Sequence, residues 1–152
     1  MARRRLELRN MEAIVKDAEN LEAGGYQPVG NWDLGQICDH LATSVHGSTR
    51  GFPLKAPWIV RRFLGPYFFR KMRRLRRMKA NVPLPEKFKP KPGTDATKSI
   101  ARLRDAIDEF GKHAGPWPDH PILGRMGRDE WLDFHLIHAS HHLSFLIPTD
   151  KT

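Results

Sequence analysis

The sequence predicts an all-α fold: a four-helix, up-and-down style bundle with an additional short basic helix and a proline-rich crossover, in one domain over residues 1–152. Three observations predict it. Apolar residues recur at three- and four-residue steps in four separate segments, the mark of helices that bury one face. No strand-like alternation of useful length and no internal repeat interrupts them. Pro83, Pro85, Pro90 and Pro92 hold residues 80–93 out of any helix, a connection long enough to cross a bundle end and too short to separate domains. A chain of 152 residues fits one domain with a real core, and 39% hydrophobic and 28% charged residues are ordinary for a soluble protein.

The first helix is expected over 6–22, where Leu8, Met11, Ile14, Val15, Ala18 and Leu21 share a face, and Gly24-Gly25 ends it. The second is expected from about 33 to 47. Asp33 with Gln36 forms a capping-box pattern, Trp32 with Ile37 fits the hydrophobic staple around it, and Leu34, Ile37, Leu41 and Val45 form the buried side. Residues 58–79 interleave Arg and Lys with aromatic and apolar residues. After Pro66 they fit an amphipathic helix with a basic outer face. Asp95 caps the next helix, whose inward set is Ala96, Ile100, Leu103, Ile107, Phe110 and Ala114, and Gly115-Pro116-Trp117-Pro118 stops it with His113 in its last turn. Gly127, with Glu130 at the third position, starts the last helix, and Pro148 closes it.

That last helix carries the chemistry. His135, His138, His141 and His142 place four of the chain's eight histidines within eight residues. At about 100° per residue they share an arc with Trp131, Phe134 and Phe145, while Asp129, Asp133, Ser140 and Ser144 mark a narrow wet face. A helix apolar on most of its circumference belongs inside a bundle, so these imidazoles are expected to point into the interior or into a pocket lined by Trp131, Phe134 and Phe145. His138 and His142, four apart, stack on one face and can share one metal ion. The best third donor is His40, on the core side of the second helix. Three imidazoles leave a coordination position for a water or a substrate atom, as in catalytic sites. The plainer reading makes them core or surface histidines bonded to carbonyls and carboxylates, and it would prevail for a lone histidine. Ala139 follows His138, so the helix lacks the glutamate of the zinc-protease motif.

A tryptophan-led early helix with a histidine (Trp32 to His40) and a late His-x-x-x-His (His138 and His142) resemble the DinB/YfiT-like superfamily of four-helix bundle metalloproteins. More narrowly, His120-Pro121-Ile122-Leu123-Gly124, Glu130-Trp131 and His141-His142-Leu143-Ser144-Phe145 resemble an uncharacterised subfamily within it, over about residues 6–148. The resemblance implies a divalent metal, zinc or nickel, held by His40, His138 and His142, and a small-molecule reaction such as thiol-dependent transfer. It also implies a homodimer as a plausible assembly. The expected protein is therefore a metal-dependent transferase or hydrolase-like enzyme acting on a small molecule, with His141 or His135 orienting ligands or shuttling protons and His120 bordering the pocket. The alternatives are a non-catalytic metal-binding module, and a protein whose basic helix binds anionic membrane or nucleic acid.

The net charge of +9 is local: residues 40–85 hold eleven Lys or Arg and no Asp or Glu, leaving 15 basic and 17 acidic residues elsewhere. That weighs against a whole-domain nucleic-acid binder and leaves peripheral contact with anionic membrane through residues 61–79 open, beside a solvated face or a lid over the site. Cys38 is the single cysteine, so no internal disulfide forms, and at about 200° from His40 it reads as a small buried side chain rather than a ligand. The basic opening Met1-Ala2-Arg3-Arg4-Arg5 lacks a secretory apolar segment, and no run approaches the roughly 18 apolar residues of a membrane span. The cytoplasm is the expected compartment.

Overall fold

In a computed structural model, which describes residues 2–149, five α-helices and one two-stranded sheet follow in the order α1 (Met11–Gly24), β1 (Tyr26–Pro28), α2 (Leu34–Arg50), α3 (Gly65–Leu75), α4 (Ala96–Lys112), α5 (Arg128–Leu143) and β2 (Leu146–Pro148). Met1 and residues 150–152 of the expected domain lie outside the described residues. The bundle is α1, α2, α4 and α5, and α3 is the additional basic helix. Among the described residues, no helix is long and apolar enough to cross a membrane.

Local chemistry sets most boundaries. The capping box at α2 is complete: Gln36 N–H donates to Asp33 Oδ1 (2.8 Å) and Asp33 N–H to Gln36 Oε1 (3.0 Å). Asp95 Oδ1 accepts from Thr97 N–H at 2.9 Å to start α4. α1 begins at Met11 rather than residue 6, because Asn10 is its cap, with Oδ1 accepting from Ala13 N–H at 2.8 Å. Residues 2–9 instead run as an extended strap along α5. Arg4 N–H donates to Ser144 O (3.0 Å), Leu8 N–H to Ser140 Oγ (2.9 Å), and Leu8 reaches the core from outside any helix. The strap corrects the expected wet face of α5, since Ser140 and Ser144 are buried beneath it.

The chain leaves α5 at Leu143, before Pro148, and pairs Leu146–Pro148 antiparallel with Tyr26–Pro28, in the register Gln27 to Ile147. Strands of three residues are too short to show alternation in a sequence. α2 continues to Arg50, beyond the expected 47, until Gly51 at φ 93° breaks it. α4 ends at Lys112, so Ala114 is exposed and outside the inward set, whose members Ile100, Leu103, Ile107 and Phe110 are buried.

Side-chain contacts fix the helix directions. α2 and α4 run parallel: Arg102 pairs with Asp39 near their starts and Arg50 with Glu109 near their ends. α1 opposes α4, with Arg104 pairing Glu19 and Thr97 bonding Glu22. α5 opposes α2, with His135 against Ser48 and His138 against His40. The long crossover after α2 makes a parallel neighbour possible, since it returns the chain to the end of the bundle where α2 began. Within it, a π-helical turn (Val60–Leu64) leads into α3. α3 stops at Leu75, short of Lys79, with Arg76 left-handed at φ 50°. α3 is held against the loop before α5 by two glycines. A Cβ on Gly65 would stand 2.3 Å from Ile122 O, and one on Gly124, at φ 89°, would stand 2.1 Å from Arg61 O.

Candidate metal centre

His40 comes from the middle of α2, and His138 and His142 from successive turns of α5, whose antiparallel packing brings the three rings together. Their centroids lie 4.7–4.9 Å apart, each pair nearly edge to face. His138 Nε2 stands 3.1 Å from His40 Nε2 and 3.1 Å from His142 Nε2. The ligand atoms of all three lie within 4.8 Å of one another.

Hydrogen bonding does not account for this arrangement. The Nε2 of a neutral imidazole has one proton to give or one lone pair to share in the ring plane. His138 Nε2 has two such neighbours, so one contact stays unsatisfied however the protons are placed. A shared divalent ion resolves it, because nitrogens bound at about 2.0–2.1 Å to one centre stand about 3 Å apart. Electrostatics point the same way. Burial, with help from His141, brings the His40 ring down to about 4, and burial together with neighbouring imidazoles pushes His138 and His142 well below the usual histidine range. Near neutral pH all three lone pairs are therefore free of protons, the state in which histidine ligates. The residues present fit a divalent ion.

Aromatic rings clamp the cluster. Trp32, just before α2, stacks on His142 (5.3 Å, 19°) and tilts against His40 (5.1 Å), and Phe134 stacks on His138 (5.0 Å, 29°). His138 Nδ1 is buried with no hydrogen-bond partner among the described residues, so nothing there orients that ring by a hydrogen bond and Phe134 does so by packing.

The other expected site residues divide into two groups. His141 adjoins the cluster, edge-on to His142 (4.9 Å) and to Phe145 (5.4 Å). Arg3, from the strap, donates to His141 Nδ1 at 3.0 Å and lies over the Phe145 ring. Burial, with the Arg3 charge, brings His141 down to about 4. His120, Trp131 and His135 form a separate layer toward the start of α5. His120 Nδ1 accepts from the backbone N–H of Ile122 and Leu123, each at 3.0 Å, and its ring meets Phe134 and Trp131. His135 is buried against Trp131 and bonds Ser48 Oγ at 2.9 Å, and Ser48 in turn donates to Val45 O, so His135 Nε2 carries the proton. Burial holds His120 and His135 at about 3. The structure thus brings His40, His138, His142, His141 and Phe134 together, places Phe145 beside Arg3, and sets His120, Trp131 and His135 one layer away.

Sequence reasoning missed Arg3 and Ser48, and it used Trp32 in the cap and in the family motif without placing it against the imidazoles. Trp32 was visible in the motif that ends at His40, whereas Arg3 in a basic opening carries no signal. Cys38 is fully buried and its thiol is pushed up to about 12 by burial, so it remains a packing residue and no ligand.

The fold and the site define an all-α bundle protein with a three-histidine cluster. The chain belongs to the family described as "Protein of unknown function (DUF1569)", whose model matches residues 1–149. Comparison with the curated proteins and with the solved structures finds no match.

Proposed function

We propose that this protein is a divalent-metal-dependent enzyme acting on a small molecule. His40, His138 and His142 would hold the ion, with zinc or nickel the metals that suit imidazole donors. The resemblance to the DinB/YfiT-like superfamily makes thiol-dependent transfer the leading chemistry. The observation that carries the reading is the pair of 3.1 Å nitrogen contacts on His138, which protons cannot satisfy together.

When bound, the ion supplies Lewis-acid polarisation and makes a thiol that it binds more acidic. The chain supplies the rest. Trp32 and Phe134 limit water around the rings and fix their planes. His141 is the group we assign to proton handling. While Arg3 occupies its Nδ1, its Nε2 carries a proton, so it offers a hydrogen bond to an anionic substrate atom. Accepting a proton at Nδ1 would require Arg3 to move away. His135, tied to Ser48, is a positioning residue for α5.

The test begins with metal analysis of untagged protein purified without chelators, then compares the wild type with His142→Ala against a panel of thiol substrates with added zinc or nickel. About one bound ion per chain, with turnover lost in the variant, is the expected result. Metal-free protein, or turnover indifferent to the substitution, would sink the proposal. A second reading, an ion that only ties α2 to α5, draws on the near-complete burial of His138. It predicts bound metal and a metal-dependent melting temperature with no turnover of any substrate.

A further inference from the structure

Eight of the ten exposed large apolar side chains among the described residues lie between Leu54 and Leu75. Trp58, Ile59, Phe63, Leu64, Tyr67 and Phe68 are each at least half exposed, on the outside of a helical stretch whose inner side, Gly65 and Phe69, is buried. Water is a poor solvent for such a surface, and single domains rarely leave one uncovered without a use. The packing holds this orientation: Gly65 is tucked against the 122–123 backbone, and Arg73 and Arg76 pair with Asp133, so the helix is anchored with its aromatic side outward.

Charge completes the pattern. Arg62, Arg70, Lys71, Arg74, Arg77 and Lys79 form no ion pair among the described residues, and no Asp or Glu occurs between residues 40 and 85. The aromatic residues lie toward the start of the stretch and most of the free cations toward its end. We propose that residues 54–79 form a docking face for an anionic lipid bilayer. Trp, Tyr and Phe insert at the headgroup level, the aliphatic side chains enter the acyl boundary, and the cations meet lipid phosphates and carboxylates.

Two other occupants fit less well. A second copy docking through the same face would bring two sets of unpaired cations together. Single-stranded nucleic acid needs ring faces open for stacking. Here Trp58 and Phe63 pack edge to face on each other (6.0 Å, 85°), Tyr67 and Phe68 do the same (5.5 Å, 69°), and Ile59 and Leu64 offer bases nothing to stack on.

The experiment is co-sedimentation of the full chain with vesicles of phosphatidylcholine alone or mixed with phosphatidylserine, at low and high salt. Binding only to the mixed vesicles, weakened by salt, is expected. Trp58→Ser with Phe63→Ser should lower affinity about tenfold or more, and separately Arg70→Ala with Lys71→Ala should lower it about thirtyfold, while the melting temperature stays unchanged. A blue shift of tryptophan emission on adding mixed vesicles to the wild type tests insertion without any substitution. The proposal is overturned by absent binding, by equal binding to neutral vesicles, or by undiminished binding of both variants. It is equally overturned by a lipid-free dimer that the Trp58 and Phe63 changes dissolve, or by single-stranded RNA displacing the protein from vesicles.

Discussion

The helix α5 and the stretch leading into α3 break the same rule in opposite directions. In α5, polar imidazoles are taken out of water: His135 and His138 are 1% and 6% exposed. In the stretch around α3, aromatic rings are left in it: Trp58 is 63% exposed and Phe63 57%. Neither arrangement helps folding, since burying a polar ring without full partners costs free energy and exposing apolar area forgoes a gain. Folding stability alone therefore explains neither region, and the proposed ion and the proposed membrane face each supply a reason that it lacks.

The largest contrast should come from the two tryptophans. Trp131 is fully buried and donates from Nε1 to Pro118 O at 3.0 Å. Trp131→Ala should therefore cost about 3–5 kcal/mol of stability. Trp58→Ala should stay within about 0.5 kcal/mol of the wild type in the same urea titration. Equal costs would erase the distinction between the two regions.

Next in size is the metal itself. Zinc or nickel in hundredfold excess over its dissociation constant should stabilise the fold by about 2.7 kcal/mol, read as a rise in melting temperature that a chelator reverses. His138→Ala should abolish that rise and Phe63→Ala should leave it intact. A rise that survives loss of His138 would move the ion elsewhere.

Acid should also separate the two regions. His40 and His141 titrate at about 4 and His120 and His135 at about 3, all below the ordinary 6.5. The unfolded chain therefore binds more protons between those values, and stability that is full above pH 6.5 drains away as pH falls toward 3. His135→Phe should make that fall shallower by one titrating group, in denaturant midpoints measured across the range. The α3 stretch contains no histidine, so substitutions there should leave the profile unchanged.

Much of this was legible in the sequence because its signals are local. The box at Asp33 and Gln36, the spacing of His138 and His142, and the apolar stripe of α4 each concern residues within a turn or two of one another. The signals that misled were also local. Leu8 stands three residues before Met11, as it would in a helix, yet its partner is Ser140 at the far end of the chain. Ser140 and Ser144 read as solvent-facing because nothing near them says that a strap will cover them. The parallel course of α2 and α4 depends on how a long crossover closes, and no periodicity encodes that. Assigning His135 to the reaction followed from its shared arc with His138, but one turn along α5 the facing residue is Ser48 instead of His40.

The strap has a consequence for how the protein is made. Ribosomal synthesis delivers Arg3 before His40 and both well before His138 and His142, yet Arg3 and His141 are in contact. A nascent chain lacking α5 offers an ion one of its three nitrogen donors and leaves the amino-terminal strap with nothing to lie on. An ion held by the three histidines would therefore be captured only once α5 has joined the bundle, the same step that gives the strap its bed.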